Sequence, residues 1–136
     1  YRVGSGVKIM AVVKANAYGH GIIGVSPALV DAGADYLGVA IPSEGICLRE
    51  HGIETPILVF APPFPDEMKL FLDYNLDVTV CTRETAEILD SVSSSRGRPA
   101  VLHVKVDTGM GRLGINYREA IEFIRYLFSL RNLYVK

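Results

Sequence analysis

The sequence predicts an α/β protein, because short runs rich in β-branched residues alternate with segments of helical periodicity along its 136 residues. Hydrophobic residues make up 49% of the chain, which is enough for the core of one domain. Strict alternation of strand and helix is typical of a parallel sheet with right-handed crossovers. The expected architecture is therefore a run of βα units.

The elements follow one another in a regular order. Six strands are predicted, over residues 8–14, 36–40, 56–60, 77–81, 100–106 and 133–136. Helices are predicted to begin near Ile22, Ser43, Pro65, Arg83 and Tyr117. Ser43 precedes an acidic residue and Thr82 precedes Arg83, and both arrangements are typical of helix starts. The chain thus contains five βα units and the start of a sixth.

Two architectures fit this alternation, a doubly wound open sheet and an eight-stranded TIM-type barrel. Such a barrel usually needs about 250 residues, so a barrel formed by this chain would be partial. In both architectures functional groups gather at the carboxyl ends of strands, where Lys14 and Lys105 lie. Along the fifth strand, His103 and Lys105 share one face, and we expect the apolar face that carries Leu102 to meet helices.

Lys14 is the most informative residue of the first strand. It ends an apolar run in the segment 11–21, which reads AVVKANAYGHG. Burial favours a neutral amine, which can attack a carbonyl carbon. A second interpretation is a lysine whose stem lies along the core and whose ammonium group reaches water. Gly19 and Gly21 allow the following loop to turn sharply.

The segment 11–21 closely resembles the cofactor-binding signature of the alanine racemases, which hold pyridoxal 5′-phosphate as a Schiff base on the matching lysine. The resemblance implies that Lys14 binds the cofactor and acts as a catalytic base. It also implies that the hydroxyl of Tyr18 reaches the cofactor phosphate. Asn16 and His20 belong to the signature, and we expect them to shape the loop.

A second motif, KVDTGMGRLGI, occupies residues 105–115 and contains glycines at 109, 111 and 114 in the GxGxxG spacing of dinucleotide sites. Three facts argue against such a site. A dinucleotide motif normally follows the first strand, whereas five predicted strands precede these glycines. Asp107 and Thr108 separate the glycines from the strand, and no acidic residue follows about 20 positions later. We therefore do not expect a dinucleotide to bind here.

The same motif resembles the second signature of the alanine racemases. The resemblance implies that Arg112 lies at the phenolic oxygen of the cofactor and holds the carboxylate of the substrate, as a guanidinium can. The lysine matching Lys105 is often carbamylated in relatives, where it positions that arginine. For Asp107 two interpretations stay open, a role in the site and a turn in which its carboxylate accepts from nearby amides.

The resemblance implies an amino-acid racemase, an isomerase that interconverts L- and D-alanine by a two-base mechanism and supplies D-alanine for peptidoglycan. The second base would be a tyrosine from another domain, contributed by the other subunit of a homodimer, and no position here matches it. Residues 1–136 would then be an incomplete N-terminal barrel domain without the C-terminal β domain, with little or no activity alone. Alternatives are a serine-accepting racemase, a fold-related decarboxylase and a non-catalytic cofactor-binding module.

Composition excludes several other classes. No apolar run reaches the roughly 18 residues of a membrane span, no signal peptide opens the chain, and no charged run suggests a nucleic-acid or membrane partner. Cys47 and Cys81 lack CxxC spacing, so we expect packed, reduced thiols in a cytoplasmic protein. The three histidines lack metal-ligand spacing, and we expect no metal. Both ends of the chain look cut, since it begins without Met.

Overall fold

The computed structural model describes residue 4 and residues 6–136. The chain divides into two compact units, a first that ends at Phe60 and a second formed by Ala61–Lys136. Strands and helices alternate in both units, which confirms the predicted α/β class.

The first unit is built around three parallel strands. Its elements are β1 (Met10–Val12), α1 (Lys14–Tyr18), α2 (Ile22–Asp31), β2 (Tyr36–Val39), α3 (Pro42–Glu50) and β3 (Ile57–Val59). β2 pairs with β1 on one side, Met10 opposite Tyr36, and with β3 on the other, Val39 opposite Val59. The side chains of Leu37, Leu48 and Ile57 are fully buried and form the centre of this core.

β1 is shorter than the predicted strand over residues 8–14. At its amino end the carboxylate of Asp35 accepts the N–H of Ile9 at 2.7 Å. In a longer strand this N–H would donate to the backbone of the neighbouring strand instead. At its carboxyl end Val13 still donates to the carbonyl of Gly38 at 2.8 Å, but the backbone turns at the next residue. The strand therefore delivers Lys14 at the point where the sheet ends.

The second unit contains a parallel sheet and a separate two-stranded pair. Its elements are α4 (Met68–Asp73), β4 (Asp77–Val80), α5 (Arg83–Arg96), β5 (Ala100–Val104), β6 (Val106–Asp107), β7 (Ile115–Asn116), α6 (Ala120–Leu127) and β8 (Leu133–Val135). β5 pairs with β4 and β8, and β6 pairs with β7. Phe71, Leu89, Leu102 and Leu127 are buried in the core of this unit.

Local hydrogen bonds explain where the helices of the second unit begin. Thr82 caps α5 as predicted, because its hydroxyl accepts the N–H of Thr85 at 3.2 Å. α6 begins at Ala120 rather than near Tyr117, because the side chain of Asn116 accepts the N–H of Arg118 at 3.0 Å and holds a turn there. α4 begins at Met68, three residues after the predicted Pro65.

The two faces of β5 differ as the alternation predicts. Leu102 is completely buried, whereas His103 is half-buried and its Nε2 lies 3.1 Å from a carboxylate oxygen of Asp77. None of the helices in the described part of the chain is long and apolar enough to cross a bilayer.

Candidate functional site

Lys14 lies two residues after the end of β1, where the backbone leaves the sheet. Val13, the residue before it, is only 1% exposed and donates to Gly38 of β2. Lys14 itself is half-buried. A buried residue that is hydrogen-bonded to the neighbouring strand thus precedes a lysine that is neither fully exposed nor enclosed in the core.

The residues after Lys14 form one turn of left-handed helix. Ala15, Asn16 and Ala17 have φ values of 53°, 53° and 52° and ψ values of 50°, 47° and 47°, and Tyr18 has a φ of 53°. This conformation costs about 1–2 kcal/mol per residue for most L-amino acids, so four in succession require support from their surroundings. Such backbone strain is typical of functional sites. The sequence predicted a sharp bend here but not its handedness.

Hydrogen bonds hold this left-handed turn at both ends. The N–H of Ala17 donates to the carbonyl of Val13 at 2.8 Å, and the N–H of Gly21 donates to the carbonyl of Asn16 at 3.0 Å. The side-chain oxygen of Asn16 accepts the N–H of Ile22, the first residue of α2, at 2.8 Å. Asn16 therefore shapes the loop, the role expected for it from the sequence.

Tyr18 and His20 are exposed on this loop. The side chain of Tyr18 is 61% exposed, so its hydroxyl is open to a ligand rather than packed in the core. Lys14 and Tyr18, two of the predicted site residues, thus lie on the same left-handed turn of the first unit.

Lys105 and Arg112, the other two predicted site residues, lie in the second unit. Lys105 is half-buried between β5 and β6. Its N–H donates to the carbonyl of Val80 in β4 at 3.0 Å, and its carbonyl accepts the N–H of Ile115 in β7 at 2.9 Å. The backbone of Lys105 therefore links the main sheet to the loop that carries Arg112.

Asp107 organises the loop between β6 and β7. Its Oδ1 accepts the N–H of Gly109 at 2.9 Å and that of Gly111 at 3.1 Å. These two backbone bonds hold the pKa of the Asp107 carboxyl below its usual value. The interpretation of Asp107 as a turn-forming acceptor is therefore the one that the geometry supports.

Gly114 closes the same loop at a point where no side chain fits. A Cβ there would lie 2.6 Å from the backbone nitrogen of Asp107 and 2.9 Å from the carbonyl carbon of Val106, and the residue has a φ of +132°. The glycines of the GxGxxG spacing thus serve a tight loop that leads into β7, whereas a dinucleotide fingerprint opens a helix. Arg112 is exposed on this loop.

Cys47 and Cys81 are both free thiols. Cys81 is buried at the end of β4, and burial raises the pKa of its thiol, although a backbone bond from Gly114 and the charge of Lys105 act in the opposite direction. A buried, protonated thiol packs rather than attacks, as expected from the sequence.

One residue of the site was not predicted. Glu44, the third residue of α3, accepts the N–H of Ala15 at 2.6 Å, although 29 positions separate the two residues. The only sequence signal was an acidic residue after Ser43, which predicts a helix start and indicates nothing about the lysine loop.

The comparisons with known proteins agree over almost the whole chain. The family model described as "Alanine racemase, N-terminal domain" matches residues 2–136. An alanine racemase of Halothermothrix orenii is 46% identical over 134 residues, which are 98% of this chain and 35% of that protein. The chain therefore spans about a third of the length of the curated relatives that it matches.

Solved structures give the same result. An alanine racemase from Clostridium difficile 630 in complex with cycloserine has a TM-score of 0.95 and 35% identity, over 98% of this chain and 37% of that one. A histidine racemase from Leuconostoc mesenteroides subsp. sake has a TM-score of 0.85 and 30% identity, over 93% of this chain and 34% of that one. This chain belongs to the alanine racemase family, whose N-terminal domain it matches from residue 2 to residue 136.

Proposed function

We propose that the protein containing this chain is an alanine racemase that interconverts L- and D-alanine with pyridoxal 5′-phosphate and so supplies D-alanine for peptidoglycan. The observation that carries the proposal is Lys14, a half-buried lysine just beyond β1 and followed by a strained left-handed turn, in a chain of this family. A cytoplasmic location is part of the proposal.

The side chains on the two loops fit this cofactor by their chemistry. Lys14 offers a primary amine for the aldehyde, Tyr18 an exposed hydroxyl for the phosphate, and Arg112 a guanidinium for the phenolic oxygen. The bound cofactor supplies an electron sink that makes the Cα proton of an amino acid removable.

Each residue has a distinct task in this proposal. The Nζ of Lys14 would serve one face of Cα, taking the proton from that face in one direction of the reaction and delivering a proton to it in the reverse direction, while the second base serves the opposite face. Arg112 holds the carboxylate of the substrate with paired donors. Lys105 would carry a carbamate, formed when its neutral amine bonds to carbon dioxide and releases a proton. The resulting anion would face the guanidinium of Arg112 and position it.

The base for the opposite face of Cα is proposed to come from outside this chain, from the partner subunit of a homodimer. Residues 1–136 would accordingly be an incomplete part of the N-terminal cofactor-binding barrel domain. Relatives about three times as long support this division. With one of two bases, the isolated chain should turn over little or no alanine.

A second candidate is a racemase for another amino acid. The histidine racemase from Leuconostoc mesenteroides subsp. sake matches 93% of this chain at 30% identity, so a similar fold occurs in a racemase named for another amino acid. The discriminating residues would then lie partly in the portion of the protein that this chain does not include.

The test is a racemisation assay on the complete protein loaded with pyridoxal 5′-phosphate. L-Alanine, L-serine and L-histidine are supplied in parallel, and the D-isomer is measured with a D-amino-acid oxidase. We expect alanine to be the fastest substrate, no product from Lys14→Ala, and normal rates from Lys69→Ala, which changes an exposed lysine of α4. A faster rate with histidine or serine would favour the second candidate, and no racemisation of any amino acid would contradict both.

A further inference from the structure

We propose that Glu44 is a positioning residue that orients the amine of Lys14 by holding the backbone of the next residue. The proposal rests on the proposed function, because it gives Glu44 a role only if Lys14 binds the cofactor. Glu44 does not touch Lys14 through its side chain in this account. It acts through the peptide bond between Lys14 and Ala15.

The carboxylate of Glu44 joins two segments that lie far apart in the sequence. Its Oε1 accepts the N–H of Ala15 at 2.6 Å, and its Oε2 accepts the N–H of Ala40 at 2.7 Å. Ala15 follows β1 and Ala40 follows β2, so one side chain bridges the carboxyl ends of two neighbouring strands. Both distances are at the short end for N–H donors, as expected when the acceptor is ionised.

The hydrogen bond to Ala15 acts at the point that controls the direction of Lys14. The peptide unit between Lys14 and Ala15 is planar, so fixing the N–H of Ala15 fixes that plane and with it the ψ angle of Lys14. On the other side, the bond from Val13 to Gly38 fixes the preceding backbone. The Cα–Cβ bond of Lys14 is therefore held from both directions.

The same bond supports the left-handed turn. Ala15 has a φ of 53°, a conformation that an alanine seldom adopts, and its N–H is at the start of the turn, where no residue of the turn can accept it. The carboxylate of Glu44 supplies that acceptor. Asn16 gives corresponding support at the other end, through the N–H of Ile22.

Helix capping alone does not account for this arrangement. Glu44 is the third residue of α3, and its contact with the N–H of Ile41, the capping position, is 3.4 Å long. The two short bonds go to Ala15 and Ala40 instead. The helix N-terminus favours the negative charge of Glu44. The carboxylate nevertheless directs its best hydrogen bonds to the strand ends.

In the complete protein, the substitution Glu44→Gln distinguishes a positioning role of Glu44 from a helix-capping role. Glutamine keeps the length of the side chain but has one acceptor oxygen, and its amide nitrogen would face an N–H donor. Glu50→Gln, on the exposed last residue of α3, is the matched control. Two quantities are measured, the amide exchange rate of Ala15 in the cofactor-free protein and the Kd for pyridoxal 5′-phosphate from an absorbance titration.

We expect Glu44→Gln to accelerate exchange at Ala15 and to raise the Kd, each by about tenfold or more, the effect of losing a hydrogen bond to a charged group. Glu50→Gln should change neither quantity. Should Glu44→Gln fail to fold, Glu44→Asp keeps the charge but shortens the side chain, and the same two increases are expected.

Two results would overturn the proposal. An unchanged exchange rate at Ala15 would show that the bond does not protect this backbone, and faster exchange with an unchanged Kd would reduce Glu44 to a helix cap. Failure of the unmodified protein to bind the cofactor would instead remove the proposed function, and with it the positioning role. In that case the amide exchange rate of Ala15 would still show whether Glu44 accepts its N–H.

Discussion

At the scale of single residues, two carboxylates hold the backbone of two loops, one that carries Lys14 and one that carries Arg112, both predicted site residues. Glu44 binds the N–H of Ala15, next to Lys14, and Asp107 binds the N–H groups of Gly109 and Gly111 in the loop of Arg112. In both cases an acidic side chain accepts hydrogen bonds from peptide N–H groups.

The pKa of Asp107 tests whether its carboxylate holds the loop between β6 and β7. Because hydrogen bonds from Gly109 and Gly111 favour the ionised form, we expect a titration midpoint below the ordinary value of 3.8. A lowered pKa in the folded protein means that the stabilisation is fully present above about pH 4 and is lost as the pH falls through the folded value. The contribution of Asp107 to the stability of this loop should therefore not change with pH near neutrality.

The measurement is the ¹³C chemical shift of the Asp107 carboxyl as a function of pH, with Asp107→Asn to identify the resonance. A midpoint at or above 3.8 would mean that the two backbone bonds do not persist in solution.

Sequence alone identified Lys14, Tyr18, Lys105 and Arg112 as candidates, because they lie in two contiguous motifs. The assignment of their roles stays a prediction. Glu44 was missed for a physical reason: its partner Ala15 is 29 positions away, and a helix-start pattern reports only the local bonds of a residue. A side chain that binds a backbone group far away in the sequence produces no periodic pattern among its own neighbours.

At the scale of elements, the predicted site residues lie in irregular turns and beside short strands rather than in the long helices. The predicted fifth strand over residues 100–106 is wrong at its end, because β5 ends at Val104 and Val106 begins β6; the pairing of β6 with β7 and the left-handed turn of α1 were not predicted. Two-residue strands have no hydrophobic alternation to detect, and a left-handed turn that contains two alanines contradicts local preference. Helices α2 and α5 begin at the predicted Ile22 and Arg83, and each main strand lies within a predicted strand, although β1 is shorter than predicted.

Substitution of Gly114 tests the importance of the β6–β7 loop. A Cβ at this position would meet backbone atoms of Asp107 and Val106, which cannot move without breaking the pair. We expect Gly114→Ala to lower the free energy of unfolding by about 1–3 kcal/mol. Denaturant unfolding of the complete protein measures this change.

Gly24→Ala provides the control for Gly114→Ala. Gly24 lies inside α2, is exposed, and a Cβ there would meet nothing within 4 Å. Alanine in a helix interior is favoured over glycine by about 0.5–1 kcal/mol, so this variant should be equally or slightly more stable. Equal destabilisation by both variants would contradict the steric argument at Gly114.

At the scale of the whole molecule, alternation of strand and helix predicted parallel sheets but left two architectures open. Pairing within each unit fits both of them, because a doubly wound sheet also contains runs of consecutive strands. The TM-score of 0.95 with an alanine racemase decides for the partial barrel. Sequence could not decide this, since local periodicity does not encode which strands close a sheet.

The central claim, that Lys14 is the amine to which the cofactor binds, is tested most directly by reductive trapping. The complete protein is incubated with pyridoxal 5′-phosphate, reduced with borohydride, and mapped by peptide mass spectrometry, alongside Lys14→Ala and Lys69→Ala. We predict a stable pyridoxyl group on Lys14 in the unmodified protein and in Lys69→Ala, and none in Lys14→Ala. Labelling of a different lysine, or undiminished labelling in Lys14→Ala, would contradict the account.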